Sequence, residues 1–333
     1  MAEEVGNRLK NLEDRFELPL IKGEDLLSKP LTRPVFVVDP IVPGEGITML
    51  YGPPKVGKST MLWTMGDAIE TGGQFLELPT TQYKCIYMNF DLPEFDLQAR
   101  WKKGGYSGSK MDFWNLFPAA LDITQLRTQH PRVFDKIQEV TAPYHVVMID
   151  CLYRIMLGRK LTDDEVPGLA TEQLSNLFPH KSVILLHHAR KQTIGQHGPV
   201  PPSSEDFLGS QLWFAAVQSQ LQIYRKNADM SHFRSNGQHV GVWDDGLDIF
   251  VDDTGCEVTL YNVHKQAREY QELSKAEVQL SGADPNYIGY PTGKRKELIA
   301  NVLRSAGHKI ALDPQSAVRT IDRWIKRSGY RLI

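Results

Sequence analysis

Short, unbroken apolar runs punctuate the chain at 47–51, 85–90, 146–149 and 183–186, and each reads as a β-strand. Because the runs are continuous rather than alternating, both faces of each strand must be covered. That is the habit of a parallel sheet lying between helices. The segments between the runs carry the helical period instead. Leu62, Met65 and Ile69 share one face of a helix expected from Ser59 towards Glu70 and stopped at Gly72-Gly73. Further helices are expected over 94–103 and 129–141, with a strand and loop in 111–126. The later strands end on polar residues near Asp91, at Asp150 and at His187-His188, and ligands of such sheets bind at the C-terminal strand ends.

Outside this alternation the pattern changes. Residues 1–34 form an N-terminal arm with a charged helical segment around 8–16, serving either a neighbouring subunit or its own surface. A short strand is expected at Phe36-Val37-Val38. Residues 218–262 show short strands and tight turns (Asp244-Asp245-Gly246, Asp253-Thr254-Gly255), which suggests an antiparallel extension at one sheet edge. Residues 264–290 read as a polar helix and linker. Beyond them a helix over 294–305 carries Leu298, Val302 and Leu303, and Gly307 breaks it. Asp313-Pro314 then opens a second helix through Lys326, with Val318, Ile321 and Ile325 as its apolar stripe. Residues 330–333 suit a short strand. The expected organisation is an arm (1–34), an α/β domain (35–263), a linker helix (264–290) and a small helix-turn-helix-like or winged-helix-like module (291–333).

Composition adds exclusions. No apolar run approaches the length of a membrane span, and the acidic start Met1-Ala2-Glu3-Glu4 has no apolar signal core. Cys85, Cys151 and Cys256 lie far apart with no C-x-x-C pairing, as expected of reduced core cysteines in a cytoplasmic protein. The net charge of −2 conceals an asymmetry: residues 290–333 hold ten Lys/Arg against three Asp/Glu, on an otherwise acidic chain. A basic module on an acidic body suits an anionic partner, with Arg319, Arg323, Lys326 and Arg327 on the second helix as candidate DNA contacts. A basic protein-docking module is the other reading.

The chemistry centres on Gly52-Pro53-Pro54-Lys55-Val56-Gly57-Lys58-Ser59-Thr60, a G-x-x-x-x-G-K-S loop between the first strand and the following helix. Its glycines let successive backbone N–H groups face a phosphate, and the helix N-terminus adds its positive dipole end. Lys58 suits the β- and γ-phosphates of ATP and Ser59 suits Mg²⁺. Asp150, closing an apolar run about 90 residues on, fits the second Mg²⁺ carboxylate. Asp91, or secondarily Glu94, is placed to orient the attacking water. One of the adjacent histidines, His188 in preference to His187, suits a γ-phosphate sensor; neighbours on a strand face opposite ways, which argues against joint metal ligation. Arg225 and Lys226 close a strand at 221–224 and could reach a transferring phosphoryl group. The long loop 191–207, with Arg190 and Lys191 at its root, is a candidate to contact a nucleic-acid strand threaded past the site; disorder with no contact is the other reading.

Together these residues resemble the RecA-like ring ATPases, and within them the RepA-like and DnaB-like replicative helicases of plasmids and phages. The resemblance is carried by the 52–60 loop, by Phe90-Asp91-Leu92-Pro93, by Leu186-His187-His188-Ala189-Arg190-Lys191, and by Gly209-Ser210 with 221–226. It implies a RecA-like, mostly parallel sheet flanked by helices with an antiparallel edge. It also implies ATP and Mg²⁺ as cofactors, with Lys58 and Ser59 on phosphate and metal, and Asp150 as the Walker B carboxylate. Asp91 would then be the catalytic carboxylate, His188 the sensor and Arg225 an arginine finger. A head-to-tail homo-oligomer, a hexameric ring or a filament, would act on single-stranded DNA or RNA in replication. The departure is Asp91, where the family usually carries Glu; the carboxylate is withdrawn by about 1.5 Å, enough to slow turnover. A recombinase, an ATP-switched initiator or loader, and a regulatory ATPase acting on protein are the other readings.

Overall fold

The structure is a computed structural model that describes residues 22–30, 34–104, 109–189, 191–195, 198–200, 212–227, 230–235, 246–251 and 258–332. It divides into two units, Met1–Val35 and Phe36–Ile333. In the first, the described part is a short exposed helix, α1 (Gly23–Ser28). The helix expected around 8–16 lies outside the described residues.

The second unit is built on strand β3 (Gly46–Gly52), whose residues from Ile47 onward are all buried. Preceding it, β1 (Phe36–Val38) pairs with β2 (Val42–Pro43). After β3 come α2 (Lys58–Thr71), a small hairpin of β4 (Gln74–Phe75) and β5 (Leu78–Pro79), β6 (Cys85–Asn89), α3 (Glu94–Lys103) and β7 (Asp112–Asn115). Then follow α4 (Leu126–Gln129), α5 (Pro131–Thr141), β8 (Val146–Asp150), α6 (Glu165–Leu177) and β9 (Ser182–His188). A hairpin of β10 (Ile194–Gly195) and β11 (Gly198–Pro199) leads on to α7 (Leu212–Ala216), β12 (Ser219–Arg225), β13 (Ser231–Ser235), β14 (Leu247–Val251) and β15 (Val258–Leu260). The main sheet runs β15-β14-β13-β12-β3-β9-β8-β6-β7. From β12 across to β7 every neighbouring pair is parallel, and β13 to β15 add an antiparallel edge.

Strand periodicity divides the sheet's side chains between two cores. Leu50, Tyr87, Met148, Ile184, Leu186, Leu221 and Ile223 face α2 and its Met61, Leu62 and Met65. Met49, Tyr51, Met88, Ile149 and Leu185 face the other way, against Phe134 and Ile137 of α5 and Ala170 and Leu174 of α6. Two covered faces explain why these strands are apolar throughout. The expected stop of α2 is also realised: Gly72 sits at φ +67°, and the Gly72 and Gly73 N–H groups donate to Ile69 O and Ala68 O. This is the RecA-like arrangement: a mostly parallel sheet between helices, with an antiparallel edge.

A third core joins α8 (Tyr261–Ala283), α9 (Thr292–Ser305) and α10 (Pro314–Ser328) through Leu273, Ala276, Ile299, Leu303, Ala317 and Ile321. The Asp313 carboxylate caps α10, accepting from the Gln315 and Ser316 N–H groups. The two expected helices of the module are present, joined by a connection longer than the three or four residues of a compact helix-turn-helix turn. Two expectations change here. The helix read as a linker over 264–290 starts at Tyr261, directly after β15, and contributes Leu273 and Ala276 to this core. Finally, Tyr330 enters no strand; it is buried, with its hydroxyl donating to Glu277 Oε2 at 2.8 Å. Among the described residues, no helix is long and apolar enough to cross a membrane.

Candidate active site

The 52–60 loop leaves the sheet at the C-terminal end of β3 and turns into α2. At both glycines of the motif a side chain is sterically excluded. A Cβ on Gly52 would lie 2.2 Å from Ile223 O, and Gly57 has φ +96° with Val251 Cγ1 2.9 Å from where its Cβ would stand. Val56 is buried and Pro54 and Lys55 are exposed, so the loop's crown faces solvent while its root is fixed. The first N–H groups of α2 have no partner within the helix, which leaves them for an anion.

Lys58 is only 5% exposed, and its ammonium donates to Gly52 O (3.0 Å) and Pro53 O (2.7 Å). Burial lowers its pKa to about 8, against the opposing pull of Asp150, Cys151 and Asp91. Asp150 ends β8 at 1% exposure, and its Oδ2 accepts from Ser59 Oγ at 2.7 Å and from the Tyr87 hydroxyl. Burial raises the Asp150 pKa; the Tyr87 and Ser59 hydrogen bonds and Lys58 oppose the rise, and Asp91 adds to it. A buried carboxylate touching a serine hydroxyl is a hard oxygen donor pair, and a divalent cation would hold that carboxylate ionised. These residues fit Mg²⁺.

Asp91 follows β6 and is exposed. It does not cap the helix that follows: the N-cap of α3 is Pro93, and no side chain caps that helix. The turn that carries it is braced by Asn89, whose Oδ1 accepts from the Asp91 and Leu92 N–H groups at 3.3 and 3.1 Å. Asn89 Nδ2 in turn donates to Leu92 O and to Asn115 Oδ1. The Asp91 charge is felt at Lys58, Asp150 and His188.

His188 ends β9 opposite Gly52 in register, on the α2 face of the sheet. Its pKa is lowered by burial and by Lys58, so the imidazole is neutral at neutral pH, with Asp91 pulling the other way. His187 is opposite Tyr51 and buried on the far face. Arg225, at the end of β12, follows Leu221 and Ile223 on the α2 face. Its partner cation is already committed, since Lys226 Nζ donates to Asp248 Oδ1 at 2.8 Å.

Lys191 is exposed and Arg190 lies outside the described residues, as do Gly209 and Ser210. The 191–207 segment, expected without structure, contains the β10–β11 hairpin. Of the tail cations, Arg319, Arg323 and Lys326 are exposed, while Arg327 is not available as expected: its guanidinium makes a two-pronged ion pair with Glu269. Tyr87 and Asn89 are the site residues that sequence reasoning missed.

A phosphate cradle at the end of the central strand, a buried lysine and a Ser59–Asp150 pair on a RecA-like sheet define a P-loop ATPase. The chain belongs to the AAA domain family AAA_25, which it matches over residues 12–193. No curated protein sequence matches it significantly. Similar solved structures include a KaiC-like protein from the hyperthermophilic archaeon Pyrococcus horikoshii OT3 (11% identity, 69% of this chain and 99% of that one, TM-score 0.44). Another is the flagellar accessory protein FlaH from Methanocaldococcus jannaschii (11% identity, 66% and 91%, TM-score 0.43). A third is the RadB recombinase (15% identity, 65% and 91%, TM-score 0.40).

Proposed function

We propose that this chain assembles head-to-tail into a ring or filament and couples ATP hydrolysis to movement along, or unwinding of, single-stranded nucleic acid. Lys58 and the α2 N-terminus hold the phosphates, with Ser59 and Asp150 as the residues for Mg²⁺. Bound there, the ion would neutralise charge on the β- and γ-phosphates. Asp91 orients the attacking water from the end of β6, and neutral His188 exchanges hydrogen bonds with the terminal phosphate. Arg225 of one subunit stabilises the transferring phosphoryl in the next, a contribution of about 10³–10⁵ in rate where such a residue operates.

The observation that carries the reading is the connection from sensor to hairpin. Directly after His188, the Ala189 N–H donates to Gly52 O at 2.9 Å. Three residues later Gln192 clasps the backbone of Arg225, accepting from its N–H at 3.0 Å and donating to its carbonyl at 2.7 Å. The β10–β11 hairpin follows at once, with Ile194 81% exposed. A shift of His188 on loss of the γ-phosphate is thus passed to an exposed hairpin and to the arginine strand together.

The test is the ATPase rate with and without single-stranded DNA, with particle size measured alongside. Stimulation by the strand, assembly into multimers and loss of turnover in Lys58→Ala are expected. A rate indifferent to nucleic acid would favour a protein-directed ATPase, and negligible turnover even with the strand an ATP-switched loader, the outcome that the short Asp91 arm would foreshadow.

A further inference from the structure

We propose that the outward face of α10 binds the phosphate backbone of duplex DNA, at a surface separate from the ATP cradle. Arg319, Arg323 and Lys326 stand at i, i+4 and i+7 on this helix, opposite the buried Ala317 and Ile321, and all three are exposed. Their neighbours are neutralised inside the module. Arg327 is held by Glu269, Arg295 lies 3.7 Å from the buried Glu277, and Asp322 is taken by Lys296. Arg323 leans on its own helix, donating to Thr320 Oγ1 at 3.1 Å, and none of the three forms an ion pair among the described residues. Several of the module's other charges are thus engaged in its own fold, while α10 presents a stripe of three exposed cations, with Asp313 at the helix start as the carboxylate that Arg319 feels.

The stripe's surroundings select among anionic partners. The apolar face of α10 is buried against α8 and α9, so the helix has nothing to insert into a lipid surface. No large hydrophobic side chain of α10 is exposed, so the face lacks the aromatic or aliphatic anchors on which protein interfaces depend. The three cations span about 10 Å of helix axis, a length over which a duplex presents about six phosphate charges and a single strand half as many. Charge density favours the duplex.

The experiment uses the full chain without nucleotide, so its result is independent of the ATPase reading. Binding of a labelled DNA duplex is followed by fluorescence anisotropy from 50 to 300 mM salt, approximate limits that bracket the steep part of phosphate-driven binding. At about 0.9 logarithmic units of salt slope per contact, the combined Arg319→Ala, Arg323→Ala and Lys326→Ala variant should show a slope shallower by about 3. Its affinity near physiological salt should fall on the order of 100-fold. The combined Arg319→Lys and Arg323→Lys variant should retain most of the affinity, as phosphate attraction requires charge and not a fork. Lys136→Ala, on the distant α5, should change nothing. Unaltered thermal unfolding establishes that the alanine variant is folded. Duplex affinity unchanged in that variant, or wild-type protein preferring polyglutamate to the duplex, would overturn the proposal.

Discussion

Lys58 is a cation whose ammonium donates to two carbonyl oxygens, Gly52 O and Pro53 O, and burial brings its pKa to about 8 against the pull of the nearby carboxylates. The sign of the pH effect follows. Unfolded, this amine titrates near 10.5, so between pH 8 and 10.5 the native state binds fewer protons. Its contribution to folding stability therefore rises with pH across that window. Triphosphate acts in the opposite direction: its negative charge favours the ammonium and returns the pKa upward. ATP binding should then take up a proton above pH 8, and affinity should weaken by up to about tenfold per pH unit beyond it. Nucleotide titrations from pH 7 to about 9.5, with calorimetry in two buffers of different ionisation heat, read both quantities. Flat affinity and no proton uptake would mean that Lys58 does not meet the phosphates.

At the level of elements, the site depends on ties between neighbouring strands, and Tyr87 is the principal one. From the middle of β6 its hydroxyl crosses to Asp150 at the end of β8, while its ring packs edge-on against Trp63 of α2. Tyr87→Phe removes one hydrogen bond to a carboxylate and leaves the ring, a change of roughly 1.5–3 kcal/mol at Asp150. The expected result is a Mg²⁺ requirement for hydrolysis raised by about tenfold or more, with metal-free nucleotide affinity unchanged. Titrating Mg²⁺ in the ATPase assay and measuring Mn²⁺ binding directly check this; an unaltered metal requirement would contradict it. The tie also shows where the sequence stops being legible. Ser59 and Asp150 announce themselves by motif and by position after an apolar run. Tyr87 sits inside such a run and reads as core, because only the β6–β8 register, Tyr87 opposite Met148 and Asn89 opposite Asp150, brings its hydroxyl to the Asp150 carboxylate. Val251 is hidden for the same reason, since nothing local to β14 tells that it will close over Gly57. The strands of the main sheet were readable from apolar runs, whereas the short pairs β4–β5 and β10–β11 were not; strand order was not either, because β9 enters between β3 and β8 through crossovers that leave no local mark.

Across the whole molecule, two cores sandwich one sheet and a third, smaller core holds the C-terminal helices. The sequence shows that module's charge but not its keystone. Glu277 is 0% exposed and accepts from the Tyr287 hydroxyl at 3.0 Å and the Tyr330 hydroxyl at 2.8 Å, with Arg295 close by. Read along the chain, Glu277 is one more charge on a polar helix, and for that reason α8 resembles a linker. In space it joins α8 to α9 and to the chain end, and burial together with Glu277 raises the pKa of both tyrosines well above the ordinary phenol range. Glu277→Ala would leave two buried hydroxyls without their acceptor and Arg295 without its counter-charge, a loss on the order of 3–5 kcal/mol. That approaches the entire stability of many domains, and the third core is too small to absorb it. The cradle residues Lys58 and Ser59 open α2 and Asp150 ends β8, outside the third core, so the damage should stay local. In a thermal scan the variant is expected to show a new, early transition that MgATP does not move, and a later one that it raises. Duplex binding should be lost with the first transition and nucleotide binding only with the second. A single transition, lowered as a whole and shifted as a whole by MgATP, would instead make the helical module and the ATPase sheet one cooperative unit, joined where α8 leaves β15.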